Sequence, residues 1–287
     1  MPWVMAGILA VVQGACCAQA QPPMPAGQLI REVVYNELSD HVSHGYWRYW
    51  VESQSPKESL REEFLETAEG PISRIELSNG HPLDAEGRQL EQARLHRLLS
   101  SPAEQARRRQ EYDDNEKRIG RIVALLPDAF LYEYAGEENG CYRLRYHPNP
   151  DYPAHSIETR IIHAMNGDLW VDAKYKRLVR LDGRLNQDVS FGFGILGRLY
   201  KGGWFRLQRT QVSSTDWKTE RFELHMNGRA ILFKIITQEF SELRSGYAPV
   251  VTGLDLVKGA ALLYQIEPES AHVSAASFTM DREPSHP

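Results

Sequence analysis

Apolar and polar positions follow two different periods along this chain. From Gly167 to Gln208 (GDLWVDAKYKRLVRLDGRLNQDVSFGFGILGRLYKGGWFRLQ) they alternate. Leu169 and Val171 are interleaved with Trp170 and Asp172; after a break at Ala173–Tyr175, Val179, Leu181 and Leu185 are interleaved with Arg180, Asp182 and Arg184. A period of two marks half-buried strands. An apolar, glycine-rich run, Ser190–Gly203, precedes a third strand through Trp204–Gln208. The stretch reads as an antiparallel meander with one wet face, curved at its glycines. Near the N-terminus the period changes to that of a helix. Leu29, Ile30, Val33, Val34 and Leu38 recur on one face, with Arg31, Glu32 and Asn36 opposite, which predicts an amphipathic helix over Gly27–Ser39.

Tyr46–Ser53, Leu60–Ala68 and Ile72–Ser78 read as three strands, ended by Asn79–Gly80. Asp84 can cap a helix over Ala85–Leu99. Ser101, Pro102 and Glu104 stand at the N-cap, N1 and N3 positions of another, a capping-box start. The body of that helix, RRRQEYDDNEKR, alternates in sign and predicts a solvated surface laced with i,i+4 pairs, not a phosphate-binding patch at Arg107–Arg109. Ile119, Ile122, Val123, Leu125 and Leu126 dock its end and Pro127 stops it. Residues 84–126 thus form a charged helical insertion. Phe130–Tyr134 and Tyr142–His147 pair across Gly136–Gly140, and 148–156 is an irregular link. Arg221–Met226 and Ala230–Thr237 flank Asn227–Gly228, a type I′ hairpin signal. A helix near Leu254–Tyr264, capped by Thr252, comes last, and 265–287 predicts a disordered tail. Helices segregated from a long run of antiparallel strands make an α+β fold, and about ten strands in one twisted sheet must curl.

Composition narrows the partners. With 42% hydrophobic and 25% charged residues the chain is globular, and a formal charge of −5 gives no electrostatic footprint for nucleic acid or anionic membrane. The first residues, MPWVMAGILAVVQ, form an apolar run too short to span a bilayer and lead to Ala18-Gln19-Ala20, an A-x-A cleavage signal. Residues 1–20 therefore read as a signal peptide cleaved after Ala20, with 21–264 as a single periplasmic domain and no integral membrane span in the mature chain. Lipidation at Cys16 or Cys17 is the alternative, disfavoured because Gln13 stands where a lipobox has an aliphatic residue. Once the signal is removed, Cys141 is the only cysteine, so no intramolecular disulfide is expected.

No catalytic signature emerges. Gly192-Phe-Gly194-Ile-Leu-Gly197 matches G-x-G-x-x-G literally, but its antiparallel surroundings lack the strand–helix context of a dinucleotide site. His41 and His44 lack a supporting carboxylate pattern for a metal, and neither a G-x-S-x-G elbow nor H-E-x-x-H occurs. No cofactor, metal or enzymatic activity is expected. The aromatics are more informative. By strand parity Leu169, Val171, Val179, Leu181, Leu185, Phe205, Leu207, Phe222, Leu224 and Met226 share the concave face, while Arg180, Asp182, Arg184, Arg206 and Gln208 face water. Phe191, Phe193, Ile195, Leu196 and Trp204 would form an apolar mouth loop, with Trp170 and Trp217 close to it.

Three segments, GDLWVDAKYKRLVRLDGRL (167–185), DVSFGFGILGRLYKGGWF (188–205) and HMNGRAILFKIITQEFSELRSGYAPV (225–250), together with Leu125–Tyr134 and Gln28–Leu38, resemble uncharacterised bacterial exported proteins labelled outer-membrane lipoprotein-sorting proteins. The resemblance spans about Gln28 to Pro249. It implies a LolA/LolB-like fold, a half-open β-barrel closed by helices over an apolar cavity, and a non-enzymatic carrier or binding protein whose partners are acyl chains or a lipoprotein. The alternative is an envelope interaction module using the same sheet with a filled core. Export has a direct check: N-terminal sequencing of the mature protein should begin at Gln21, and a retained Met1 or an acylated Cys16 or Cys17 would refute the cleavage site.

Overall fold

The computed structural model describes residues 24–39, 45–191, 197–230 and 234–264. The signal segment, the His41/His44 pair, the tip of the glycine-rich run and the tail lie outside them. The described residues form five helices: α1 (Ala26–Ser39), α2 (Ala85–Ser100), α3 (Pro102–Ala129), α4 (Ile157–His163) and α5 (Leu256–Tyr264). The strands are β1 (Tyr46–Gln54), β2 (Ser59–Leu65), β3 (Ile72–Ser78), β4 (His81–Pro82), β5 (Phe130–Glu138), β6 (Cys141–Pro148), β7 (Met165–Asp172), β8 (Leu178–Leu185), β9 (Val189–Phe191), β10 (Gly197–Leu199), β11 (Trp204–Gln211), β12 (Trp217–Ala230) and β13 (Lys234–Val250).

All 13 strands belong to one antiparallel sheet in the order β4-β3-β2-β1-β13-β12-β11-β8-β7-β6-β5, with β9 and β10 attached beside β12. The sheet does not close, and the fold is α+β. Ladder register slips at Arg48/Trp50, Arg61/Glu62, Tyr134/Gly136, Trp170/Val171 and Gln208/Arg209. Each bulge adds local twist and bends its strand, so the sheet curves. Alternation then sorts the faces. Two sets of ion pairs, Arg143 and Arg145 with Asp168, and Arg180, Asp182, Arg206, Glu223 and Arg221 in succession, lie on one side of β6, β7, β8, β11 and β12. Trp170 lies between the guanidinium groups of Arg180, 4.4 Å from its ring centroid, and Arg143, at 5.3 Å.

The opposite face of the β5–β8 half is apolar and is covered by α1. The helical stripe read from the sequence is the one that packs: Leu29, Ile30, Val33 and Val34 are buried against Phe130, Leu144, Tyr146, Leu169, Val171 and Leu185. Four such side chains stabilise the domain by about 1.5–3 kcal/mol each. A second core, Leu65, Ile72, Leu95, Leu98, Leu256, Ala260 and Leu263, joins α2 and α5 to β2 and β3. The long helix α3 links the two. Its charged body is held by Arg108 donating to the Pro71 carbonyl, by Arg109–Glu69 at 2.8 Å, and by Tyr112 packing over Gly70. Its last turns meet α1, where Arg31 pairs with Asp128 at 3.1 Å.

Several sequence expectations are corrected. Asn227–Gly228 is not a turn; β12 runs straight through it and pairs there with both β13 and β10. The glycine is needed for close approach, since a Cβ at Gly228 would lie 2.7 Å from the Arg198 carbonyl oxygen. Strand β13 extends far beyond Thr237 to Val250, sharing its length between β12 and β1. Pro127 does not stop α3 but sits in its last turn, before Phe130 turns extended at φ −129° and ψ 153°. Helix α4 lies where no helix was expected and is started by a Ser156–Thr159 capping box. At α5 it is Asp255, not Thr252, that caps, accepting from the Lys258 N–H at 2.8 Å.

Beyond its two-residue pairing with β4, the outer edge of β3 is covered by side chains in place of a strand. Its Ile75 N–H donates to Glu91 of α2, and its Ser73 carbonyl accepts from Arg94 at 2.6 Å and from the Tyr264 hydroxyl of α5 at 3.0 Å. Glu91 also receives Arg94 and Tyr264, so α2, α5 and the edge meet at one carboxylate. Burial alone would raise that carboxyl, but hydrogen bonds from Arg94 and Tyr264 hold it below its ordinary value of 4.5. A depressed folded pKa means stability that is present above the unfolded value and is lost as pH falls through the folded one. Denaturant titrations should therefore show Glu91→Gln destabilised by about 1–3 kcal/mol at pH 7, with the gap to wild type closing below pH 4.5; a gap independent of pH would refute this role.

Candidate functional site

Where the sheet curves away from α1 the two do not meet completely. They leave a cavity of about 670 Å³. One wall is α1, through Ile30, Val33, Val34 and Leu38; the other is the sheet, through Phe130, Tyr132, Tyr146, Met165, Leu169, Leu178, Leu181, Phe205 and Leu207. Ile161 and Ile162 of α4 add to it. The rim is α3 from Tyr112 onward, where Tyr112, Ile119 and Ile122 line the cavity yet remain 39%, 43% and 37% exposed. They are three of the ten large apolar side chains exposed among the described residues.

The polar atoms of the apolar wall are already satisfied. The Tyr132 hydroxyl donates to the Leu126 carbonyl at 2.7 Å and the Tyr146 hydroxyl to the Asp182 carbonyl at 2.9 Å. Burial pushes both phenols well above the usual tyrosine range, so both stay neutral. This wall can exclude water and contact hydrocarbon but has little with which to orient a polar metabolite.

A pair of glycines makes room for it. Gly167 of β7 and Gly183 of β8 stand directly opposite each other. A Cβ on Gly183 would lie 2.2 Å from the Phe205 ring, and one on Gly167 would lie 1.9 Å from the Asp182 carbonyl oxygen. The ring of Phe205 and the hydroxyl of Tyr146 occupy the space that side chains at these two positions would otherwise fill.

The far end of the cavity is charged, a feature strand parity did not reveal. Glu37, near the end of α1, accepts the Leu178 N–H at 3.0 Å and pairs with Arg177 at 3.3 Å and with Arg209. Arg177 also donates to the Asn36 carbonyl at 3.1 Å, a cation placed against the last carbonyls of the helix. Lys218 of β12 holds Glu66 at 2.8 Å, and Glu66 accepts the Trp47 N–H at 3.2 Å. Arg244 of β13 pairs with Glu242 and lies 5.8 Å over the Tyr49 ring. Arg209, Lys218 and Arg244 all line the cavity, as do Glu37, Glu66 and Asp216.

The residues singled out from the sequence are divided by the structure. Leu169, Leu181, Phe205 and Leu207 line the cavity. Val171 and Leu185 are sealed in the core behind it, and Met226 packs against that core. Val179 is displaced from the lining because the bulge pairs Val171 with Leu178, which takes its place. Phe222 and Leu224 pair with Leu207 and Phe205 and so share their face, but they lie beyond the lining. Trp204 is not a mouth residue: it pairs with Arg184 and stacks on His225 at 6.1 Å, on the ionic face. Phe193, Ile195, Leu196 and the side chain of Phe191 fall outside the described residues. Among the described residues no group of histidine, cysteine and carboxylate side chains could hold a metal, and no helix is long and apolar enough to cross a membrane.

The structure is thus an open-sheet α+β protein with an apolar cavity under one helix. No family model and no curated protein matches the chain. Among solved structures it is similar to a DUF1329 family protein from Desulfovibrio piger, at 11% identity over 84% of this chain and 98% of that one; the TM-score of 0.28 is too low for the likeness to carry an argument.

The glycine pair yields a prediction. Gly183→Ala should force Phe205 into the cavity, lower stability by about 1–3 kcal/mol in denaturant unfolding, and weaken binding of an apolar fluorescent probe. An unchanged unfolding midpoint would show that the close approach is not required.

Proposed function

We propose that this chain is a periplasmic binding or carrier protein that holds an apolar chain, that of a lipid or a lipidated protein, in the cavity beneath α1, and that it acts by binding and not by catalysis. The observation that carries this reading is the cavity itself. A space of about 670 Å³ lies within the range of about 300–1,000 Å³ expected of a small-molecule site. Its walls are aliphatic and aromatic, and its tyrosine hydroxyls already donate to backbone carbonyls. The exposed Tyr112, Ile119 and Ile122 at the rim would be covered by an apolar occupant. A binding role also fits the charged groups, which are engaged with one another and not arranged as an acid, base and nucleophile around a common point.

Leu181→Trp separates this reading from an interaction module with a filled interior. Leu181 is a partly buried wall residue of β8, and a larger ring there fills empty space if space exists. The variant should keep the wild-type melting temperature and lose at least about tenfold in affinity for a fluorescent fatty-acyl probe. Wild type that binds no probe, with a variant destabilised by about 1–3 kcal/mol through overpacking, would establish the filled module instead.

A further inference from the structure

The shape and charge of the cavity narrow the ligand further. Resting on the reading of this cavity as a lipid site, we propose that it takes one single-chain amphiphile with a carboxylate head, the tail lying between α1 and β5–β8 and the head between Arg209, Lys218 and Arg244.

Volume sets the number of chains. At roughly 30 Å³ for a methylene, about the share of a water molecule in the liquid, a cavity of about 670 Å³ holds about one long acyl chain. Three chains of about sixteen carbons, as on a triacylated lipoprotein, would need about twice that volume. A single tail therefore fits the site.

Charge sets the head. The three cations that line the cavity come from three neighbouring strands, β11, β12 and β13, within a few register positions of one another: Arg209 stands opposite Thr219, the neighbour of Lys218, and Arg244 follows Leu243, which stands opposite Arg221. The Tyr247 hydroxyl of β13 donates to the Thr219 carbonyl beside Lys218, which ties Arg244's strand to the charged end. The acids at the same end are already committed. Glu37 holds the Leu178 N–H, Glu66 the Trp47 N–H, and Asp216 the hydroxyls of Ser213 and Thr215. The other two lining acids, Glu116 and Glu158, are carried by α3 and α4. An ammonium has three donors and a guanidinium five. Glu66 takes two donor contacts from Lys218, Glu242 takes the Arg244 Nε–H, and Arg209 donates to Glu37 and to the Trp217 carbonyl, so a head group would be met by the donors that remain. A carboxylate suits such a site because its two oxygens accept in a plane from guanidinium and ammonium together, through charge-assisted bonds that an alcohol of the same length forfeits.

The test uses the full chain with three probes: palmitic acid, 1-hexadecanol and a triacylated lipopeptide. Calorimetry should give one palmitate per chain, bound about tenfold or more tighter than hexadecanol, the difference expected for a charge-assisted hydrogen bond. Arg244→Gln and Lys218→Gln, made separately, should each reduce that preference to about threefold or less, with far-ultraviolet circular dichroism and a cooperative unfolding transition reporting that each variant has folded. The lipopeptide should not displace palmitate. Equal affinity for acid and alcohol, or a preference that survives both substitutions, overturns the carboxylate head but leaves the cavity reading standing. Stoichiometric lipopeptide binding at palmitate-like affinity overturns the single chain. If neither palmitate nor hexadecanol binds, the inference and the reading beneath it fail together.

Discussion

The inner face of a curved open sheet has to be removed from water, and this chain has few elements with which to do it. A closed barrel would bury the face against itself, and a sandwich against a second sheet. Here the sheet stays open between β4 and β5, and the β5–β8 half is covered by α1, the short α4 and the last turns of α3. Flat contact would need the sheet to follow the straight helix. The bulges at Trp170/Val171 and Gln208/Arg209 bend it away. The cavity is the geometrical remainder of that mismatch, and Gly167 and Gly183 let Phe205 and Tyr146 lie back into its wall.

A helix lying over a partly empty space needs anchoring at its ends, and the charged groups supply this. Glu37, Arg177 and Arg209 join α1 to β8 and β11 with side chains only 11%, 8% and 16% exposed. Breaking such a pair on one side leaves a buried charge without its partner, which typically costs about 3–5 kcal/mol. The opposite end of the sheet is secured differently, with Glu91, Arg94 and Tyr264 replacing a missing strand. In both places ionic side chains act where apolar packing is interrupted, so the charged end of the cavity is first an anchor for α1 and only then available to a ligand.

What could be read from the sequence follows from this division. Period-two alternation placed the strands of the meander, and the stripe Leu29, Ile30, Val33 and Val34 placed α1, because each pattern is imposed by burial on one face. Leu169, Leu181, Phe205 and Leu207 were legible as wall residues for the same reason. Val179 was not, because one bulged residue exchanges it for Leu178 without altering the local composition. Asn227–Gly228 misled because glycine serves two purposes, tight turns and close backbone approach, and only the position of β10 decides between them. The polar end was invisible. Glu37 is in α1, Glu66 follows β2, and Arg209, Lys218 and Arg244 stand on the neighbouring strands β11, β12 and β13, so only the strand pairing brings these three segments of the chain together.

The rim of the cavity connects this architecture to function. Tyr112, Ile119 and Ile122 stand on α3, whose body is otherwise polar, and nothing in helix propensity or solubility favours large apolar groups 39%, 43% and 37% exposed there. An apolar occupant of the cavity, as proposed, would cover them. An apolar tail between α1 and the sheet would complete the packing that the curved wall leaves unfinished and would bring the α3 side chains into one core with Val123, Leu126 and Phe130. Binding and folding would then share the same surfaces. A ligand that occupied the native cavity alone, as proposed, would raise stability in proportion to the logarithm of its concentration over its dissociation constant, because it would extend the same apolar core that holds α1 to the sheet.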